Sequence, residues 1–428
     1  MNKLVIKGTN QNIYYERLTN GLEVYLAPNE KQEAFYVTYS TKYGSVHNEF
    51  VPLGAKKYCK FPEGIAHFLE HKLFEQESGL DPFSFFAKSG TIANANTSFF
   101  KTSYLFYGVN DFEANLNYLL DYVSKPYLTD KNVEKEKGII EQELRMYDDM
   151  PFWVLVGGLK KNAFHHHPIK QNIAGSLKSI KAITKEDLLT CYNTFYHPSN
   201  MILIITGNFS KEKALDLIKK KHSATKTSPL PKIKLKKYSE PNTVVKERLE
   251  KQMAVEVPKV ALGIKIPLTK LKDFDLKVIN LYLGLLGNIL FGSTSKFLAE
   301  MVEKGYIIGD LSSNRILVDN YFFAQIGAES NQPSQLIMAI KKYLNGFKVN
   351  KKDFERIKKV FISSYYLTFD DILAVNNKLL SNIINYNKLY LNEIDLLKDL
   401  NKEELDKIIK LLDLNQVSTC IITPKKNK

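Results

Sequence analysis

Three absences narrow the kind of protein that this sequence can encode. Its 428 residues include only three cysteines, Cys59, Cys191 and Cys420, an odd and widely spaced set that excludes a disulfide framework and a zinc finger. No apolar run approaches the roughly 18 residues of a membrane span, and the N-terminus lacks the hydrophobic region of a signal peptide. We therefore expect a cytoplasmic protein with reduced thiols and no membrane segment.

Acidic residues are the minority charge. Lysine and arginine number 60 against 46 aspartates and glutamates, which gives a net charge of +14. Lysines concentrate at 219–221, 232–237 and 425–428, but no recognition helix, RNP-like pattern or zinc knuckle accompanies them. We therefore predict no nucleic-acid partner. The length and the 44% hydrophobic content instead predict two to four compact units with large cores.

One five-residue segment carries most of the chemical information. Residues 67–71 read His-Phe-Leu-Glu-His, so a helix would present His67 and His71 on one face with Glu70 beside them. The order H-x-x-E-H is the inverse of the commoner H-E-x-x-H zinc-peptidase motif. Two imidazoles on one helical face suit a metal ion, whereas the alternative is a pair of core histidines beside a solvated glutamate.

A catalytic zinc usually takes three protein ligands, so a third candidate is needed. Read at helical spacing, Val133, Glu136, Ile140, Glu143 and Tyr147 form one stripe with two carboxylates among apolar neighbours. Inward carboxylates are costly unless they are paired or bind a metal. This stripe therefore predicts that one glutamate binds the metal while the other holds a histidine.

At this point the chain resembles the pitrilysin/insulinase family of zinc metallopeptidases. Four segments occur in the family's order, and they are GIAHFLEHKLF (64–74), SGTIANANTSFFKTSYLF (89–106), VEKEKGIIEQELRMYDD (133–149) and YNTFYHPSNMILIITGNF (192–209). The resemblance extends over the whole N-terminal half and is strongest to the short, two-domain bacterial members. These include members associated with peptide maturation or with elongation factor P modification.

The resemblance implies a site and a reaction. It implies one zinc ion per chain held by His67, His71 and Glu143, with Glu70 as general base and Glu136 as a supporting acid behind the ligands. The implied activity is that of an endopeptidase, in which a zinc-activated water hydrolyses peptides or small unfolded polypeptides. The alternative is a subunit with the family fold that binds a peptide or a partner and has little or no activity.

The strand between the two metal helices is the predicted substrate contact. Residues 91–100 are polar and compatible with a β-strand, and Asn94, Ala95 and Asn96 stand where the family uses an edge strand to pair with an extended peptide. An unpaired strand edge recognises a peptide backbone through its main-chain hydrogen bonds. The alternative is an ordinary edge strand.

An internal repeat predicts the domain organisation. The pattern KEDL at 185–188 leads into IIT at 204–206, and KEEL at 402–405 leads into IIT at 421–423 at the same spacing. We predict an α+β fold of two homologous α/β-sandwich domains, with mostly antiparallel sheets and flanking helices, that forms half of a clamshell. The predicted segments are a zinc-binding domain at 1–222, a linker at 223–250 and a second domain at 251–428.

The second half lacks its own metal motif and contains no histidine. Family members often carry there an arginine and, about two turns later, a tyrosine that reach the substrate. These positions fall here at Met301 or Val302 and at Ile308. The resemblance therefore implies a heterodimer with a homologous non-catalytic subunit that supplies the pair. A homodimer is the alternative, because Arg315 could substitute for the missing arginine.

Overall fold

The computed structural model describes residues 1–223 and 228–425. Residues 426–428 of the lysine cluster at 425–428, and residues 224–227 of the predicted linker at 223–250, lie outside the described residues. The fourteen strands found in the described residues are β1 (Asn2–Val5), β2 (Asn12–Arg17), β3 (Glu23–Pro28), β4 (Phe35–Thr41), β5 (Glu49–Phe50), β6 (Cys59–Lys60), β7 (Ile92–Thr97), β8 (Thr102–Gly108), β9 (Met201–Gly207), β10 (Arg248–Met253), β11 (Lys259–Pro267), β12 (Ile308–Val318), β13 (Tyr321–Glu329) and β14 (Val417–Pro424).

Helices fill most of the intervals between these strands. Those found in the described residues are α1 (Ile65–Leu73), α2 (Pro82–Ala87), α3 (Phe112–Ser124), α4 (Asp130–Asp149), α5 (Pro151–Ala163), α6 (Leu177–Ala182), α7 (Lys185–Phe195), α8 (Lys211–Ser223), α9 (Leu276–Phe291), α10 (Lys296–Glu303), α11 (Pro333–Gly346), α12 (Lys351–Leu367), α13 (Ile372–Tyr386), α14 (Glu393–Asp399) and α15 (Lys402–Leu411). Short 3₁₀ turns lie at Pro168–Lys170, Pro198–Asn200 and Thr368–Asp370.

Residue contacts divide the chain into two compact units, each built on one sheet. Unit 1 comprises Met1–Leu144, Asn172–Lys237 and Tyr366–Asn392, and unit 2 comprises the other described residues. The unit 1 sheet has the order β1-β2-β3-β9-β4-β8-β7. Its neighbouring strands are antiparallel except for β3 and β9, which run parallel. Strands β4 and β9 are buried along their whole length, so the core lies around the middle of this sheet.

The unit 2 sheet repeats this topology. Its order is β10-β14-β11-β13-β12, and only β10 and β14 are parallel. In both units a helix, α7 or α15, precedes the strand, β9 or β14, that lies between a parallel and an antiparallel neighbour. The two domains predicted from the repeated KE(D/E)L and IIT patterns are therefore confirmed, as is the α+β class with mostly antiparallel sheets.

Two helices are exchanged between the halves of the sequence. Helix α5 lies in the half of the sequence that carries the histidine motif but packs on β11 and β14 of unit 2, whereas α13 lies in the second half but packs on β4 and β9 of unit 1. The units therefore do not coincide with the predicted segments 1–222 and 251–428, because each sheet is covered by a helix from the other half. Strand β10 also begins at Arg248, inside the segment 223–250 predicted as linker.

Buried hydrogen bonds fix α13 on the unit 1 sheet. The Thr38 hydroxyl donates to Asn376 Oδ1 over 2.7 Å, and Asn376 Nδ2 donates to the carbonyl of Ile204 over 3.1 Å. Thr206 donates in turn to the carbonyl of Ile372 at the start of the helix. Since unpaired polar groups are costly in a core, these bonds define one position of α13 on the sheet.

One apolar stretch of the described chain has the length of a membrane span. By length and composition alone Leu276–Glu303 could cross a membrane, and it is the one stretch of the described chain that passes this test. In the protein, 61% of its apolar window is buried, as expected for a core helix. The expectation of no membrane segment stays a prediction. The expected absence of disulfides agrees with the structure, in which all three cysteines are free thiols.

Candidate metal centre

The glycine immediately before α1 fixes the start of the helix and thereby the position of the histidine motif. Gly64 has φ of 87°, and an added Cβ would lie 2.5 Å from the carbonyl oxygen of Ala174. Only glycine adopts this conformation and tolerates this contact without strain. The helix that follows buries both the apolar stripe and two of the motif residues, since His67 and Glu70 are each only 8% exposed.

Helix α4 brings a carboxylate to the same point. Val133, Glu136 and Ile140 are buried, as the stripe predicts, and Glu143 is half-buried. Glu143 Oε1 lies 3.7 Å from His67 Nε2, and Glu143 Oε2 lies 3.6 Å from His71 Nε2. The two imidazole rings have their centroids 4.5 Å apart. One ligand atom from each of these three side chains therefore falls within 4.8 Å of the others.

These three side chains fit a zinc ion. Tetrahedral zinc with bonds of about 2.0–2.2 Å separates its ligand atoms by about 3.4 Å, close to the spacing between the Glu143 oxygens and the two histidine nitrogens. Two imidazoles and one carboxylate form a donor set known from catalytic zinc sites, which leave a fourth position open. In the described parts of the chain this is the one such cluster of His, Cys, Asp and Glu.

Glu136 lies behind one ligand. Its Oε1 is 3.0 Å from His71 Nδ1, which leaves His71 Nε2 directed toward Glu143. A carboxylate that accepts a hydrogen bond from one ring nitrogen fixes the tautomer and makes the other nitrogen a better ligand. The structure thus places Glu143 beside both histidine Nε2 atoms and Glu136 behind His71, while their roles toward a metal stay a prediction.

Burial and neighbouring charges set the ionisation of the site. Burial, with a smaller contribution from His71, lowers the pKa of His67 to about 4, so this imidazole is neutral and available as a ligand at neutral pH. Burial also lowers the pKa of His71, but the hydrogen bond and charge of Glu136 outweigh it and the net shift is upward. Burial raises the pKa of Glu70, which the hydrogen bond from Thr97 partly offsets.

Glu70 contacts the edge strand through one of its carboxylate oxygens. The Thr97 hydroxyl, at the end of β7, donates a hydrogen bond to Glu70 Oε2. Strand β7 is the last strand of its sheet, and among the described residues it pairs only with β8. Asn94 and Asn96 are exposed on this strand and Ala95 is half-buried. The predicted substrate strand therefore lies beside the predicted base, while its role in substrate binding stays a prediction.

Two residues at the site escaped the sequence analysis. No sequence pattern indicates the role of Thr97, because its contact with Glu70 depends on how α1 packs on β7. Lys72 is fully buried directly after the motif. Its ammonium donates to the carbonyl of Asn132 over 3.2 Å, pairs with Glu75 and lies 3.8 Å from Glu136 Oε2. A lysine placed between the motif and the apolar Leu73 and Phe74 was the available signal.

Lys72 compensates buried negative charge, so its removal should destabilise the protein. We expect Lys72→Met to lower the free energy of unfolding by about 3 kcal/mol, as for other broken buried ion pairs. The measurement is urea denaturation in the presence of a chelator, so that metal content does not vary. Lys181→Met removes an ion pair from a lysine side chain that is 69% exposed and should change stability by less than about 0.5 kcal/mol. Equal effects of the two substitutions would contradict the assignment.

Comparisons with known proteins show the family of this chain. Residues 50–176 match the family model described as "Insulinase (Peptidase family M16)", and residues 182–361 match the one described as "Peptidase M16 inactive domain". An uncharacterized zinc protease of Bacillus subtilis, YmfH, is 36% identical over 418 residues, which covers 97% of each chain. The crystal structure of a putative M16-like peptidase from Alicyclobacillus acidocaldarius superimposes with a TM-score of 0.92 at 30% identity, over 98% of this chain and 100% of that one.

A more distant relative is a human protein. The human mitochondrial-processing peptidase subunit beta is 29% identical over 174 residues, which covers 40% of this chain and 36% of that protein. The description of the second family model as inactive agrees with the lack of histidine beyond residue 222. The resemblance seen in the four sequence segments is confirmed. The chain belongs to the insulinase family of peptidases, family M16.

Proposed function

We propose that this chain is a zinc-dependent endopeptidase that cleaves peptides or small unfolded polypeptides. The carrying observation is the convergence of His67, His71 and Glu143, with ligand atoms within 4.8 Å of one another. A structural zinc site takes four protein ligands, whereas a catalytic site takes three and keeps a position for water or substrate. Three donors beside the buried carboxylate of Glu70 therefore favour hydrolysis over a structural role.

The proposed reaction assigns one task to each acidic side chain. When bound, zinc lowers the pKa of water to about 7 and polarises the scissile carbonyl. Glu70 takes a proton from the attacking water and passes it to the leaving amine. The Thr97 hydroxyl holds the Glu70 carboxylate by a hydrogen bond, and Glu136 holds the His71 ring. Both contacts restrict side-chain motion at the reacting face.

The proposed substrate contact is strand addition at β7. A peptide that pairs with Asn94, Ala95 and Asn96 would extend the sheet through backbone hydrogen bonds and would lie next to the end of the strand, where Thr97 contacts Glu70. Recognition through the backbone requires an extended segment and few specific side chains. This supports unfolded peptides as the substrate class rather than folded proteins.

We propose in addition that the active form contains a homologous partner chain. Met301, Val302 and Ile308 occupy the positions where family members often carry the substrate-contacting arginine and tyrosine. The human relative is named as one subunit of a processing peptidase. A homodimer remains the alternative, for which Arg315 would supply the charge. Full peptidase turnover by the purified chain as a monomer would contradict both assemblies.

The test of the proposed activity is its zinc dependence. An internally quenched peptide is incubated with the chain and its co-purified partners, with the same sample after chelation, and with the chelated sample after zinc is restored. We expect hydrolysis to be lost on chelation and to return with about one zinc per chain. Zinc bound at that stoichiometry without hydrolysis of any peptide in a mixed library, with and without co-purified partners, would instead support the peptide-binding subunit.

A further inference from the structure

Unit 2 contains a cavity of about 270 Å³ between helix α9 and the strands β11, β12 and β13. Its lining is mainly apolar, with side chains that include Ile264, Leu283, Leu286, Phe291 and Ile326. Arg315 of β12 is the one charged residue among the described residues that line it. An apolar cavity with a few polar groups and one charged group in its wall is a common arrangement for a ligand site.

Arg315 is fixed in orientation at the wall of this cavity. Its Nε donates to Asn280 Oδ1 over 2.6 Å. A Cβ added to Gly284, in the middle of α9, would lie 2.5 Å from one terminal nitrogen of the guanidinium and 2.9 Å from Cζ. Glycine in a helix interior is destabilising relative to alanine. Gly284 therefore weakens the helix but leaves room for the guanidinium. The guanidinium therefore has a defined position in the wall of the cavity.

A second glycine of α9 keeps the cavity open. Gly287 also lines the cavity, and a Cβ added there would meet only Ser313 Oγ, at an ordinary contact distance of 3.5 Å. Alanine would thus fit without strain and would favour the helix. The space that the glycine leaves is space that a side chain could have filled. This gives a way to close the cavity by substitution.

The cavity occupies the place in unit 2 that the metal centre occupies in unit 1. Helix α1 lies between β4 and β7 in sequence and contacts the edge strand β7, just as α9 lies between β11 and β12 and contacts the edge strand β12. In unit 1 the helix-to-edge contact joins Glu70 to Thr97, and in unit 2 it joins Asn280 to Arg315. The repeat thus places a side-chain contact between a helix and the edge strand at the same point in both units, with different side chains.

We propose that this cavity binds a carboxylate that carries a short apolar chain. Arg315 would receive the carboxylate, since a guanidinium pairs with it through two parallel hydrogen bonds, and the leucine and isoleucine side chains would cover the apolar chain. The volume is just below the roughly 300–1,000 Å³ of pockets for drug-sized ligands, which restricts the chain length. This chemistry is shared by a medium-chain fatty acid and by the C-terminal residue of a peptide that ends in leucine.

Titration calorimetry on the zinc-loaded chain tests the proposal. The probes are decanoate, decanol, and an acetylated tripeptide ending in leucine as its free acid and as its amide. We expect decanoate, the peptide acid or both to bind at least about tenfold more tightly than the matching uncharged probe. The acid that binds more tightly shows whether the ligand is a fatty acid or a peptide C-terminus. Repeating the titration with the Glu143→Ala variant excludes a carboxylate bound at the zinc, because binding in unit 2 should be unchanged.

Two variants locate the binding. Gly287→Leu should abolish it by filling the cavity, and Arg315→Gln should weaken it by about tenfold or more through loss of the charge. Met338→Ala, at a residue of α11 that is 62% exposed, should leave it unchanged. If Gly287→Leu does not fold, Gly287→Ala should fold and still weaken binding. No binding of either acid at about 1 mM, equal binding of charged and uncharged probes, or binding that survives both cavity substitutions would overturn the proposal.

Discussion

A Glu70→Gln protein is expected to bind zinc as the wild type does and to hydrolyse peptide about 10²–10⁴ times more slowly, the usual contribution of a general base. The amide has the shape of the carboxylate, and it can still accept the hydrogen bond from Thr97. It cannot take a proton from water. Since Glu70 is not one of the three converging ligand residues, zinc content should not fall.

The measurement pairs zinc per chain, by elemental mass spectrometry, with the rate of peptide cleavage. Glu134→Gln is the matched control, because Glu134 lies on α4 with a side chain that is 74% exposed. It should retain both zinc and activity. Full cleavage by the Glu70→Gln protein would remove Glu70 from the mechanism and would leave the metal site intact.

A Glu143→Ala protein is expected to lose zinc, and with it activity. Glu143 is one of only three donors, and its oxygens lie 3.6 and 3.7 Å from the two histidine nitrogens. Residues behind a ligand typically contribute 10–100-fold to metal affinity. We therefore expect the affinity for zinc to fall by more than about 100-fold in the Glu143→Ala protein. In the Glu136→Ala protein it should fall by about 10–100-fold, because Glu136 acts through His71.

Chelator competition measures both affinities on the same scale. Thermal unfolding provides a second readout, because an ion that binds only the folded state raises the melting temperature, and this zinc-induced rise should disappear in the Glu143→Ala protein. A Glu143→Ala protein purified with about one tightly bound zinc per chain would show that the third donor is another residue. An equal loss in the Glu136→Ala protein would reverse the two assignments.

Local spacing was enough to predict most of the site. The i, i+4 relation of His67 and His71 and the stripe through Glu136 and Glu143 depend only on helical geometry, which sequence encodes directly. The repeated helix-to-strand pattern also predicted two similar sheets. Sequence could not reveal the burial of Lys72 or the contact of Thr97 with Glu70, because both follow from the packing of α1 against distant elements.

The exchange of helices was also beyond the sequence analysis. Helices α5 and α13 are amphipathic segments of ordinary length, and nothing in their local pattern states which sheet they cover. The linker was most simply interpreted as the boundary between two contiguous domains. The hydrogen bonds of Asn376 with Thr38 and Ile204 instead join residues more than 170 positions apart. Tertiary packing of this kind is fixed by complementarity between surfaces rather than by local periodicity.

The helix exchange also affects the order in which the protein can be made. The sheet that supports the candidate metal centre is complete in sequence once β9 has been synthesised up to residue 207, yet its covering helix, Ile372–Tyr386, begins only at residue 372. Until then Thr38 and the carbonyl of Ile204 lack their buried partner, Asn376, and an apolar sheet face stays exposed to aggregation. The metal-binding half is thus not a separable module. A chain that terminates early, or a gene fragment ending at the linker, would yield a sheet without its cover.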